Sequence, residues 1–176
     1  MSDEARGKLG RILLLLGRVA LAVIFLAAAY AKLKPQGAMP WSFASIRTSL
    51  AMFAMQVDSY QLLPEERVNF VAHTLPPFEL LLGLWLLSGI GLRFSSLITT
   101  LLLGGFFTVM VRTYNMGLEV SCGCFGPGEQ LGVKTLLRDG SLLGLSLAVM
   151  VGAFVLSRRA SDESAPASLP AHQRAD

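Results

Sequence analysis

The chain has 176 residues, of which 53% are hydrophobic and only 15% charged, with a formal net charge of +3. A soluble domain carries about 25% charged residues and roughly 45–50% apolar ones even with glycine counted. The composition therefore excludes a disordered chain, a nucleic-acid-binding arm and an ordinary soluble enzyme. Two cysteines are too few for a disulfide framework, so any importance they have is local chemistry.

In chain order, the first apolar run is 12–31, broken only by Arg18. It is longer than a signal-peptide core of about 7–15 residues and is read as a retained helix, although Arg6, Lys8 and Arg11 precede it and Ala29-Tyr30-Ala31 resembles a cleavage site. Three further runs follow at 75–92, 94–111 and 136–156. Each is close to the roughly 20 helical residues that cross a hydrocarbon core of about 30 Å. The expected fold is an all-α membrane protein, a four-transmembrane-helix bundle over 1–156, with a disordered cytoplasmic tail at 157–176.

Between the first two spans, Phe43, Ile46, Leu50, Phe53 and Val57 recur at spacings of three and four, with Ser42, Ser45, Thr48, Ser49 and Gln56 off that face. This predicts an amphipathic helix over 42–57, lying on the extracytoplasmic membrane surface or packed over the mouth of the bundle. Pro64 with Glu65 and Glu66 marks a new helix start, which runs into the second span with a kink at Pro76-Pro77. Lysines and arginines are equal in number on the two sides. Their density in two short tails and one tight turn puts both termini in the cytoplasm; the expected location is multi-pass in the inner membrane of a bacterium.

The only cysteines, Cys122 and Cys124, lie in a Gly- and Pro-rich connection between the third and fourth spans. A disulfide across one intervening residue closes a small strained ring, and strained, accessible disulfides are the labile ones. Redox exchange, a structural lock on the loop and half of a metal site are the three readings. Only one plausibly placed histidine and no second cysteine pair argue against tetrahedral zinc, so no metal is expected.

Charged residues within spans are costly and usually have a partner or a task. Glu79, Arg112, Arg138 and Asp139 are expected to cluster at the outer mouth beneath the cysteines, with Lys32 ending the first span at the same level. A basic neighbour raises the thiolate fraction and a carboxylate can move protons. A structural salt-bridge network fits the same residues. Arg18 lies at the inner end, either snorkelling to phosphates or anchoring a quinone headgroup or another subunit. His73 is a candidate proton carrier near the outer surface. Gly140, Gly144 and the alanines at 27–29 and 31 would let helices approach closely.

A set of these residues carries a family resemblance: Arg18, Phe25 and Lys32-Leu33; Leu62-Leu63-Pro64; Leu75-Pro76, Glu79 and Gly83; Gly91 and Arg93; Cys-Gly-Cys-Phe-Gly at 122–126; and Arg138-Asp139. Over 11–155 the chain resembles the DoxX-like membrane proteins, most closely the MauE (methylamine utilisation) branch. The resemblance implies a four-helix membrane bundle. It also implies a link to disulfide handling during maturation of extracytoplasmic proteins beside a thioredoxin-like partner, and, through other relatives, to quinone-coupled chemistry. The functional expectation is thiol–disulfide exchange at Cys122 and Cys124 with Glu79, supported by Arg112, Arg138, Asp139, Lys32 and Arg18. A quinone is the candidate carrier, and a thiol protein or larger membrane complex the partner. A non-catalytic accessory subunit is the competing reading; transport finds no support in broken helices or a polar pore line.

Overall fold

The structure is a computed structural model that describes residues 3–35, 37, 40–118, 120–121 and 130–163. Five helices account for nearly all of it: α1 Asp3–Leu33, α2 Phe43–Ser59, α3 Glu65–Ser88, α4 Leu92–Asn115 and α5 Val133–Glu163. Among the described residues there is no strand, only an isolated antiparallel bridge between Ser121 and Gln130. α1, α3, α4 and α5 are each long and apolar enough to cross a membrane.

Their outward faces are apolar. Leu13, Leu16, Leu81, Phe94, Leu101 and Leu137 are all exposed, an arrangement that suits hydrocarbon and not water. Exposed Tyr30 and Trp41, with ring centroids 6.0 Å apart, mark one end of the bundle. Trp85, whose Nε1–H donates to the Ile90 carbonyl, marks the other. Such aromatic belts sit at membrane–water interfaces.

The four spans form a ring. α1 packs on α3 and α5, α4 packs on α5, and the α3–α4 seam is the sparsest of the four. A core of Leu21, Ala22 and Phe25 from α1, Leu82 and Leu86 from α3 and Val149 from α5 fills the centre. Close approach comes from small residues, as expected where helices pack without a hydrophobic drive between them. Val149 lies over Gly17, and Leu14 lies over Gly152, locking α1 to α5. Gly83 faces Leu26 and the Ala22 carbonyl of α1. Gly140 meets the Phe107 ring, but Gly144 has nothing within 4 Å, so the expected glycine pair supplies one contact and not two.

These glycines lead to a contrast. Gly105 has open space around it, so Gly105→Ala gains up to about 1 kcal/mol of helix propensity. A Cβ at Gly83 would sit 3.2 Å from the Ala22 carbonyl oxygen, and Gly83→Ala is expected to gain nothing. Unfolding temperatures of the two variants in nanodiscs check this.

α2 matches the predicted helix to within two residues, and its predicted face is buried at Phe53 and half-buried at Ile46, Leu50 and Val57 but not at its first member. Phe43 is 87% exposed, while Ser45 and Ser49 are buried. Burial of the serines is possible because each hydroxyl donates to a carbonyl: Ser45 to Pro40 at 2.8 Å, and Ser49 to Lys34 at 2.8 Å. Short side chains with satisfied hydroxyls let α2 close onto the end of α1. A capping box between Ser42 and Ser45 fixes its start. The apolar face that remains, Phe53 and Ala54, packs on Val68 and Ala72 of α3. α2 therefore covers the mouth of the bundle against α1 and α3.

The helix start expected at Pro64-Glu65-Glu66 is observed, but the end of the second span is not where the apolar run put it. α3 begins at Glu65, runs as one helix through Pro76 and Pro77, and stops at Ser88, short of the expected 92, where Gly89 takes a left-handed conformation (φ 71°). At the far end, α5 runs through Glu163, beyond the expected start of the tail at 157; residues 164–176 lie outside the described residues.

Candidate functional site

The α2 end of the bundle holds a buried ion pair. The Lys32 ammonium, in the last turn of α1, donates to both carboxylate oxygens of Glu79 on α3, at 2.7 and 2.8 Å. The two residues are 6% and 4% exposed. The ammonium also lies 5.3 Å from the centroid of the Phe53 ring on α2, within cation–π range. One contact set thus joins three helices.

Glu79 sits about four turns into α3, deeper along that helix than a start at Leu75 implies. It meets the end of α1 because the first turns of α3 extend past α1 to pack on α2.

The pair lines a cavity of about 260 Å³. Ile24, Phe25 and Ala28 of α1 form one wall, with Leu103, Phe106 and Met110 of α4 opposite. Phe53, Gln56 and Tyr60 close it from the α2 side. Asp139, one turn and a half into α5, lines the same cavity and accepts from its neighbour Arg138, Nε to Oδ1 at 3.0 Å.

The expected cluster is therefore assembled in part. Glu79, Lys32 and Asp139 share the cavity, and Arg138 joins them through Asp139. Arg112 does not: it is exposed on the last turn of α4 and lines no part of the cavity. Its depth along the helix suited the cluster, but its direction around the helix does not. Arg18 lies at the opposite end, with its guanidinium against Gly89, where α3 terminates. A cation there complements the carbonyl end of α3. His73 is exposed, and its Nδ1 pairs with the Asn69 carbonyl of its own helix at 2.8 Å.

Cys122 and Cys124 lie outside the described residues, as does the rest of 122–129. The flanks of that segment are fixed. Ser121 bridges Gln130, and the Leu131 N–H donates to the buried Val120 carbonyl at 2.8 Å. The Thr135 hydroxyl donates to the Gln130 carbonyl, tying the flank to the first turn of α5.

The model of the family described as MauE, methylamine utilisation protein MauE, matches residues 10–153. The chain belongs to the MauE family. No curated protein and no solved structure matches it. The matched MauE stretch contains the second and third spans whole, most of the first and fourth, the ion pair, the cavity and both cysteines.

The lining that sequence reasoning missed is Gln56, Tyr60, Phe106 and Phe107. Phe53 lay on the predicted apolar face of its helix, and Gln56 sits one turn after it. The two phenylalanines of α4 carried no signal apart from being apolar.

Proposed function

We propose that this MauE-family membrane protein handles thiol–disulfide exchange for the maturation of an extracytoplasmic partner in methylamine utilisation. The partner is a thioredoxin-like thiol protein or a larger membrane complex. The family match is to a methylamine utilisation protein. The observation that carries the reading is the sequence position of the only two cysteines. Cys122 and Cys124 fall between α4 and α5, in a segment whose described flanks are tied together at the end of the bundle that holds Lys32, Glu79 and Asp139. In this reading that end faces the extracytoplasmic side of a bacterial inner membrane, where disulfides persist, and both termini are cytoplasmic. The DoxX-like relation belongs to the same reading.

Oxidation of the pair converts two thiols to one disulfide and releases two electrons and two protons. The acceptor assigned to the electrons is a membrane quinone, reduced to its quinol. Glu79 and Asp139 are the carboxylates this reading assigns to pass the protons to the quinone. A single cysteine pair has no second pair to pass electrons onward, which makes the exchange dependent on the partner.

Thiol trapping tests the reading. In intact membranes, Cys122 and Cys124 are expected to shift between alkylated and protected forms when the partner or the quinone pool is removed. Cys122→Ser or Cys124→Ser is expected to abolish partner maturation while the variant still inserts and folds. A pair locked in one redox state, or variants that support normal maturation, would establish the accessory-subunit reading instead.

A further inference from the structure

The cavity has a chemistry of its own. Its walls are almost wholly aliphatic and aromatic, and its polar side is confined to Lys32, Glu79, Asp139, Gln56 and Tyr60. Lys32 is matched by Glu79, and Asp139 by Arg138. Among the described residues the polar side is therefore formally neutral. A charged group brought into it would be buried without compensation, which is costly. An uncharged group that exchanges hydrogen bonds with the ion pair, amide or hydroxyl would not carry that cost.

Size and access narrow the occupant further. An apolar cavity of about 150 Å³ accepts benzene. One of about 260 Å³ takes a substituted single ring or the equivalent, and is too small for a whole phospholipid. The cavity runs beside the α3–α4 seam, the sparsest in the ring, with Val71, Leu75 and Glu79 on one side and Phe106 and Met110 on the other. α2 packs on α1 and α3, and no Cα of α2 lies within 8 Å of one in α4 or α5. The outward faces of both seam helices are apolar, so the open side of the cavity faces lipid.

We infer that this cavity is a binding site for an uncharged, ring-sized lipophile that enters from the bilayer through the α3–α4 seam. Its apolar body lies against Phe25, Phe106 and Phe107, and its carbonyl or hydroxyl head meets the Lys32–Glu79 pair. A quinone is one molecule of this class and a prenyl or alkyl phenol another. Binding of this kind does not need the cysteines, so it stands or falls apart from the thiol chemistry.

The test uses the full chain with both cysteines replaced by serine, in nanodiscs of zwitterionic phospholipid. Three probes carry alkyl chains of one length: a benzoquinone, a phenol and a carboxylic acid. Ligand that binds the folded state raises the unfolding temperature in a saturable way. The two neutral probes are expected to do so and the carboxylate is not. Ala28→Leu, which fills the cavity one turn below Lys32, is expected to abolish the rise. Val57→Phe fills it from α2 and serves if the first variant does not fold. Equal binding of the carboxylate would reduce the cavity to a non-selective lipid crevice. Absence of any saturable shift, or full binding by a folded cavity-filling variant, would overturn the site.

Discussion

Lys32→Met is expected to destabilise the protein by about 3–5 kcal/mol, the usual cost of removing one partner from a buried ion pair. The ammonium satisfies both oxygens of Glu79, and neither residue has appreciable access to solvent. Without it, the carboxylate is held among Phe53, Met110 and Leu75 with its charge uncompensated. The loss also removes the cation from the Phe53 ring, so α2 loosens along with α1 and α3. The double variant Lys32→Met, Glu79→Leu separates the two costs. Replacing both members of a buried pair by apolar groups is often neutral or stabilising. The double variant should therefore recover most of the loss in a denaturant or thermal unfolding series. Recovery of less than half would mean that the ion pair holds the bundle together through contacts the apolar pair cannot replace.

That coupling was only partly legible in the sequence, and the reason is geometric. A charge inside an apolar run signals a partner, which marked Glu79, Lys32 and Asp139 in advance. The same signal marked Arg112, which is exposed. Depth along a helix can be read from a sequence, but direction around it depends on how the helices rotate against one another. The four spans were legible because apolar length is a property of each segment alone. The start of α3 was legible too, in Pro64-Glu65-Glu66. What holds the mostly polar residues 65–74 in the bundle was not. They pack against α2 through Val68 and Ala72, a tertiary contact no local pattern reports. The end of α3 was misread because the apolar run continues through the turn at Gly89-Ile90-Gly91 to Leu92. The two glycines, both at positive φ, were the available signal.

Gly89→Val is expected to be the second most damaging substitution, through two separable effects. Gly89 ends α3 at φ 71° and ψ 1°, where its N–H donates to the Trp85 carbonyl at 3.3 Å. A non-glycine residue held there costs about 1–3 kcal/mol, with a β-branched one at the top of that range. A side chain at this position would also collide with the Arg18 guanidinium. The Arg18 Nε is buried, which limits how far the guanidinium can swing aside. Displacing the guanidinium would remove the cation from the carbonyl end of α3. A cycle with Arg18→Met resolves the two effects. The backbone cost persists in Gly89→Val whatever residue stands at 18, whereas the steric cost vanishes once the guanidinium is gone. The double variant should thus be more stable than the sum of the single losses predicts, by an amount that unfolding measurements on the four proteins read directly. Strict additivity would mean that Arg18 moves aside freely and does not secure the end of α3.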